Sequence, residues 1–377
     1  MSVKTRQIDS TADRRKFAKV PWVAHQSDPR WVPPLLADVL DTLNPRKNPF
    51  FEHGTAALFV AERDGEAVGR ITAHTNRLHN EYHKDKTGFF GFFECIDDQK
   101  VSAGLLEAAE AWLRQQGCDK ALGPESFSTN EELGLLVEDR EGPPMIMCAQ
   151  NPPYYPGLLE AAGYEKAKDL YGWSYDVGEI PEEPLKIAKA VEKHPGLTVR
   201  QADPKNLERD IHIVRDVFNA AWSDNWGYVP WTDSEVRHAA KVMGMIIKPE
   251  ITAIAEVEGK PAGIMVALPN INEVIKDLDG RLFPTGLLKL IWRVKLGRHK
   301  FRSARLFLLG IKPEYRGSVL GGLSVLLYVR AHRGGQKLGI KFGELGWTLE
   351  DNEKINAGIQ FMGGRLGKVY RIYGKDL

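Results

Sequence analysis

Short apolar runs alternate along the chain with longer stretches whose apolar residues recur every three or four positions, the mark of strands interleaved with amphipathic helices. "ALFVAER" (57–63), "AVGRITA" (67–73) and "SARLFLLGI" (303–311) read as strands. "VSAGLLEAAEAWL" (101–113) places Leu105, Leu106, Ala109, Trp112 and Leu113 on one helical stripe, and "GLSVLLYVRAHRGGQ" (322–336) reads as a second long helix. Strands mixed with interleaved helices predict an α/β fold, a mixed central sheet flanked by helices.

The pattern occurs twice. "FVAERDGEAVGRI" (59–71) and "AIAEVEGKPAGIM" (253–265) share their apolar positions and their acid-Gly step; Glu62 and Glu256 are 194 residues apart, as are Gly69 and Gly263. Each predicts a β-hairpin whose acid-Gly turn takes positive φ. "LLEAAGYEKAKDLYGWSYDV" (158–177) and "GIQFMGGRLGKVYRIYGKDL" (358–377) match at nearly the same offset, each a short helix, a glycine stop and an aromatic strand. The chain therefore reads as a tandem duplication, with halves 1–184 and 185–377 joined by a proline- and glutamate-rich linker. A helix is expected over 184–193, strand "LTVRQA" at 197–202, a helix over 204–222, and an insertion near 275–303 in the second half.

Composition narrows the class. The 377 residues are 43% hydrophobic and 27% charged with net charge +1, so no global charge draws the chain to nucleic acid or to anionic membrane. Cys95, Cys118 and Cys148 lie in apolar surroundings without metal-ligand spacing and read as buried thiols. "HNEYH" (79–83) misses the zinc-protease spacing and no carboxylates complete it, so no metal is expected. The first residues carry charge without an apolar core, and no window is apolar enough to span a bilayer; a cytoplasmic protein is the expectation. Oligomeric state is not legible.

The chemistry centres on "LGIKPEYRGSVLGGLSVLLY" (309–328). Pro313 ends a strand, Gly317, Gly321 and Gly322 permit close backbone approach, and the following helix turns its free N–H groups into the loop, a place for pyrophosphate, with Arg316 beside it. This stretch resembles the acyl-CoA loop of the GNAT superfamily of N-acyltransferases, and "EDNEKINAGIQFMGG" (350–364) is similar to that superfamily's asparagine-containing segment. The order of elements resembles that fold in both halves.

The resemblance implies acyl-CoA or acetyl-CoA as co-substrate and a small-molecule amine or amino acid as acceptor. CoA would be bound by Leu309, Gly310 and Ile311 on the strand, by Arg316, Gly317, Ser318, Val319, Leu320, Gly321 and Gly322 in the loop, and by Asn352 and Asn356. Acyl transfer to an amine also needs a base and an acid. Glu344 and Glu350 are the candidate bases, and Tyr370 and Tyr373 the candidate acids. Plainer readings stand beside these: Glu350 and Asp351 as a helix cap, and the tyrosines as packing on a strand.

The sequence also departs from the superfamily pattern. Val319 stands where one of the loop glycines is usual, and the tyrosine that often serves as general acid falls near Phe361. In the first half, Asp97, Asp98 and Gln99 occupy the place of the phosphate loop, so that copy reads as one that has lost the cofactor and become a substrate or interface lobe.

The insertion carries Leu287, Leu288, Ile291 and Val294 on one helical face and Lys289, Arg293, Lys295, Arg298, His299, Lys300 and Arg302 around it. A packed helix with a solvated basic side is the expectation; docking of an acyl chain, peripheral membrane contact through 287–302, and contact with substrate phosphates are the alternatives. "VPWVAHQSDPRWVPPLL" and "NPRKNPFFEHG" read as extended covering segments or as the lining of a substrate cleft. "GPESFSTNEELG" (123–134) offers Glu125, Ser126, Ser128 and Asn130 to a ligand, or is an ordinary polar loop. Two rival functions remain: a transferase resembling the Fem family, which takes aminoacyl-tRNA as donor, and a non-catalytic ligand-binding scaffold.

Overall fold

The computed structural model describes residues 3–139 and 142–377, with the side chains of Asp139, Met243, Ser318 and Val319 outside that set. In the first half the strands are β1 (Val3–Ile8), β2 (Gly54–Arg63), β3 (Glu66–Asn76), β4 (Thr87–Cys95), β5 (Lys120–Gly123), β6 (Leu135–Asp139) and β7 (Glu165–Asp176). The second half supplies β8 (Leu197–Arg200), β9 (Thr252–Val257), β10 (Lys260–Pro269), β11 (Ser303–Ile311), β12 (Phe342–Leu349) and β13 (Arg365–Asp376). All belong to one sheet, ordered β1-β2-β3-β4-β5-β13-β7-β12-β11-β10-β9-β8, with β6 on a second side contact to β13.

The repeat seen in the sequence is a repeat of topology. Each half runs antiparallel through four strands, then adds its fifth in parallel to its fourth, β5 on β4 and β12 on β11. Both hairpins close through two-residue turns at positive φ, Asp64 (53°) with Gly65 (88°) and Glu258 (51°) with Gly259 (76°). Both central residues at positive φ match the right-handed twist of the flanking strands.

The halves then exchange their last strands. β7 of the first half lies antiparallel to β12 of the second, and β13 returns to lie against β5 of the first. The cores follow the strands: Trp173 and Tyr175 of β7 are buried in the second half's core, and Tyr373 of β13 in the first's. Burying a large side chain of this kind contributes about 1.5–3 kcal/mol, so each half depends on the other for its core as well as for its sheet.

The helices meet the sequence expectations closely. Gln99–Gln115 buries Val101, Leu105, Leu106, Ala109 and Leu113, the stripe read from the sequence except for Trp112. The expected 184–193 helix runs Glu182–Val191, that of 204–222 runs Leu207–Ala221, and Leu323–Leu338 ends on Gly339 at φ 79°. The chain position between the halves, 184/185, thus falls inside a helix, and this helix packs Ala188 and Val191 into the second half's core.

Candidate active site

A cleft opens where β11 and β12 part. They pair only over Ser303–Leu306 against Phe342–Leu345, then diverge. A bulge helps them do so: between Leu306 and Leu308 the pairing of β11 with β10 skips a residue, leaving Phe307 unmatched. A bulge bends its strand and raises the local twist. Beyond Leu306, the edge of β11 that faces β12 has no ladder partner among the described residues.

Arg305 stands at the apex of the splay. It is buried, and its guanidinium donates to the carbonyl oxygens of Gly346 (2.9 Å), Ile146 (2.8 Å) and Met147 (2.8 Å). A rigid five-donor fork suits three carbonyls converging from two directions. It pins the point of divergence to a first-half segment and leaves a positive charge at the floor of the cleft.

The cleft opens to solvent. Its walls are largely aromatic: Phe218, Trp222, Trp226, Tyr228, Trp231, Phe307, Tyr328 and Trp347. Several come from the loop after the Leu207–Ala221 helix, held in place by Asn219, whose carboxamide donates to the Trp231 carbonyl (3.1 Å) and accepts from the Trp231 N–H (2.9 Å) and the Tyr228 hydroxyl (3.0 Å). Gly310 permits this wall to close, because a Cβ there would stand 2.2 Å from the Trp222 ring.

The first half reaches across to complete the cleft with Thr129, Asn130 and Glu131. Asn130 was among the polar candidates of 123–134; Glu131 was not. Glu131 is open to the water of the cleft. The protein mass around it, aided by repulsion from Glu235 and Glu132, nevertheless pushes its carboxyl up to about 7. Among the described residues its side chain makes no ion pair. A carboxyl that is half ionised near neutrality and faces an apolar cleft is suited to exchange protons with a substrate.

The glycine loop folds as two short 3-10 turns, Pro313–Tyr315 and Ser318–Gly322, leading into the Leu323–Leu338 helix, whose first turn has no side-chain cap. Gly317 faces open space and a Cβ on Gly321 would touch only the Arg316 carbonyl oxygen, at 3.8 Å, whereas a Cβ on Gly322 would meet Ile187 and Val191 of the linking helix. Leu320 is buried; the side chains of Ser318 and Val319 lie outside the described residues. Arg316 is turned back onto the protein, donating to the carbonyls of Ile311 (2.9 Å) and Ala221 (2.6 Å). It braces the strand end against the aromatic loop, and its charge stays beside the glycine loop.

The other sequence candidates fall into different places. Glu344 is buried within β12, where its carboxylate accepts from Lys368 Nζ (2.8 Å), the Tyr370 hydroxyl (3.2 Å) and the Cys148 thiol (3.3 Å). Burial, with Glu344 and Cys148 adding to it, raises the Tyr370 phenol well above its usual range. This network joins three segments under the sheet and stands apart from the cleft walls. Glu350 pairs with Lys166 (2.7 Å) and accepts from the Asp169 N–H (3.0 Å), tying the end of β12 to β7. Tyr373 is buried in the first half's core and donates to Glu160 (3.2 Å); burial first, then Glu160, pushes its phenol up to about 12.

Asn352 lines the cleft and caps the Glu353–Phe361 helix. Asn356 is buried, donating to the Leu349 carbonyl (3.0 Å) and accepting from Thr348 Oγ1 (2.6 Å). Leu309 lines the cleft, Gly310 lies under Trp222, and the Ile311 carbonyl receives Arg316.

The first half holds a closed counterpart. β4 and β5 pair only over Thr87–Phe89 against Lys120–Leu122, and β4 bulges at Phe92, but the gap is filled by its own chain. The Glu125 N–H donates to the Phe90 carbonyl (2.8 Å), and a Cβ on Gly91 would fall 1.8 Å from the Glu125 oxygen. Asp98 caps the Gln99–Gln115 helix and pairs with Arg63 (2.5 Å), so the helix N-terminus that would face a pyrophosphate is held by a carboxylate.

The insertion corrects an expectation. Its helix (Gly286–Leu290, continuing as a π turn through Lys295) buries Val294, but Leu287, Leu288 and Ile291 stand exposed, together with Phe283, Trp292 and Leu296. Only Val294, with Leu282, Leu290 and Phe301, reaches the small core beneath. So short a helix lies on that core as an outer layer, and among the described residues no segment covers its second face. No helix among the described residues is long and apolar enough to cross a membrane.

The aromatic wall was legible as "WSDNWGYVPW" (222–231), a cluster of rings after a predicted helix, though nothing in the sequence said which way the rings point. Glu131 carried no local signal, because its role arises from contact between halves.

No protein-family model matches the chain. It is 37% identical to the bacterial ceramide synthase of Caulobacter vibrioides, over 98% of this chain and 96% of that protein, and 36% identical to the protein YghO of Escherichia coli, over 97% and 93%. Among solved structures, a tandem GNAT protein from the clavulanic acid biosynthesis pathway superposes with TM-score 0.61 at 13% identity, covering 100% of this chain and 98% of that one. A GCN5-related N-acetyltransferase from Sphaerobacter thermophilus gives TM-score 0.53 at 15% identity, covering 99% and 95%. The chain has the tandem GNAT fold and belongs to one family with the bacterial ceramide synthase.

Proposed function

We propose that this protein transfers a fatty-acyl group from acyl-CoA to the primary amine of a long-chain, sphingoid-type amino alcohol or amino ketone. The observation that carries the reading is the aromatic cleft at the β11–β12 splay, beside an uncapped glycine loop, in a chain 37% identical throughout to a ceramide synthase. A ceramide is the fatty amide of a long-chain amino alcohol, and walls of tryptophan and phenylalanine suit such a substrate better than a small amino acid. They also favour a thioester over a donor carried on tRNA, which would call for a cationic surface.

In this reading the loop from Gly317 to Gly322 and the N-terminus of the Leu323–Leu338 helix hold the CoA phosphates. The thioester lies along the unpaired edge of β11 near Phe307–Gly310, where a backbone N–H receives the developing oxyanion and Arg305 adds positive potential. Glu131 takes the proton from the attacking amine. The nitrogen–carbon bond forms, the carbon–sulfur bond breaks, and the thiolate departs as CoA after gaining a proton. Glu344, Tyr370 and Tyr373 serve the fold.

Such substrates reside in bilayers, and the exposed face of the insertion supports attachment to one. Six of the eleven large apolar side chains exposed among the described residues lie between Phe283 and Leu296. Lys295, Arg298 and Lys300 beside them make no ion pair among the described residues and complement an anionic surface.

The test is CoA release from palmitoyl-CoA in the presence of sphinganine, with Gly321→Glu as control. A Cβ on Gly321 would make only an ordinary contact, with the Arg316 carbonyl oxygen at 3.8 Å, so the variant should fold normally and lose both turnover and stabilisation by CoA. Undiminished stabilisation by CoA in that variant would remove the loop assignment. No release from any acyl-CoA with any long-chain amine would remove the reaction.

A further inference from the structure

Behind the aromatic cleft lies a second recess, open to solvent, between the sheet and the two helices that precede β9. Its walls include Ile211 and Val214 of the Leu207–Ala221 helix, Val236 and Ala239 of the Asp233–Met243 helix, and Ala253 and Met265 of β9 and β10. It adjoins the cleft at residues that line both, Trp231, Phe307 and Leu308.

The polar groups at this recess are already satisfied. Asp210 is held by Arg200 (2.8 and 3.1 Å) and by the Asp203 N–H (2.7 Å). Thr252 Oγ1 donates to the Pro249 carbonyl (3.0 Å) and accepts from the Ala202 N–H (2.9 Å). Nothing there calls for a hydrogen-bonding ligand. The recess opens to solvent and its walls are almost wholly apolar, and apolar surface left in water is costly unless something apolar covers it.

Its position fits a chain that begins in the cleft. The shared lining contains the bulged Phe307, at the point where the reacting carbonyl would lie. On the far side, the recess is bounded by Ala239, Ala240 and Ile247. The same segment carries the exposed Val242 and Met245, and the next residue, Ile246, packs into the core under the insertion. The recess thus lies between the reacting centre and the apolar outer face.

We propose that this recess is an alkyl-chain site: it holds an unbranched hydrocarbon chain whose reacting end stands in the cleft. The inference rests on the acyl-transfer reading for the reacting end, but not for the binding of the chain. The hydrocarbon belongs either to the acyl group of the thioester or to the long-chain amine; both present the same chemistry to these walls.

Chain-length series separate the sources. Binding of acetyl-, octanoyl- and palmitoyl-CoA, and of octyl-, dodecyl- and hexadecylamine, is measured by thermal stabilisation and titration on the full-length protein. Each methylene received by a dry wall should strengthen binding about fourfold. Ala239→Phe narrows the recess and should abolish that gain beyond the shorter chains in one series, leaving the other unchanged. The series affected names the source. Ile211→Ala widens the recess and should extend the gain to longer chains in the same series, which keeps the test sound if the filled variant folds poorly. Chain-length dependence in both series identical to wild type in a folded variant of either kind overturns the alkyl-chain site. If wild type binds long chains in this way but releases no CoA, the site stands and the acyl-transfer reading falls.

Discussion

Replacing Glu131 with glutamine should change the pH dependence of acyl transfer in a form that the structure sets. The carboxyl of Glu131 is displaced from the ordinary 4.5 to about 7, chiefly by the protein mass around the mouth of the cleft and then by repulsion from Glu235 and Glu132. At pH 6 a carboxyl of ordinary acidity is almost wholly ionised, but one near 7 is only about one-tenth ionised. The attacking amine must itself be neutral, which alone makes kcat/KM rise about tenfold per pH unit below the amine's own pKa, about 10.4 for a lysine-like amine. Wild type should therefore show a logarithmic slope of about two below pH 7 and about one above it. Glu131→Gln should show a slope of about one throughout, with activity lower by about 10²–10⁴ on the alkaline side.

Initial rates of CoA release from palmitoyl-CoA across pH 5.5–9 read both slopes directly. Glu235→Gln offers a second arm: glutamine keeps the capping box with Thr232 but removes one repelling charge, so the break should move to lower pH. The proton that raises this carboxyl also tilts stability. Between 4.5 and about 7 the folded chain holds a proton that the unfolded chain has released. The contribution is therefore present below 4.5 and is lost as pH rises through 7, and the variant should lack that component of the melting profile. A wild-type profile with no break near neutrality, or a glutamine variant with wild-type rates, would refute the assignment of Glu131 as base.

Three further outcomes follow from the same structure. Glu344→Ala leaves Lys368 buried without its carboxylate and should cost about 3–5 kcal/mol in urea unfolding. Glu344→Leu with Lys368→Met should recover most of that and keep turnover; a stable but inactive double variant would return Glu344 to the chemistry. Leu288→Asp with Trp292→Asp should abolish co-sedimentation with anionic vesicles while leaving turnover of detergent-dispersed amine intact, and raised salt should weaken the wild-type interaction. Gly310→Ala drives a methyl into the Trp222 ring; it should destabilise by about 1–3 kcal/mol and lower kcat/KM by displacing the cleft wall, as unfolding and CoA-release assays would show.

Much of this architecture was present in the sequence because its signals are local. The two hairpins announced themselves through an acid-Gly pair between alternating strands, since two successive residues at positive φ admit few other choices. The long helices were readable because burial of one face imposes a period, as Leu105, Ala109 and Leu113 show. The glycine loop, the carboxylates that replace it in the first half, and the duplication itself were legible for the same reason: each is a property of contiguous residues.

What the sequence left undecided depends on residues far apart in it. Glu344 looked like a base on a fifth strand, yet Lys368, Tyr370 and Cys148 converge on it and hold it in the fold. Arg316 looked like a phosphate fork, yet carbonyls from Ile311 and Ala221 receive its donors. The face of the insertion helix that reads as core is the face left outside. Strand exchange explains why. Hydrogen bonding and burial between β7 and β12, and between β13 and β5, bring the first half's Glu131 to the second half's cleft. Periodicity, turns and loop chemistry are determined by neighbours along the chain. Which side chain faces the substrate, and with what charge, is decided by the packing of segments that meet only once the chain has folded.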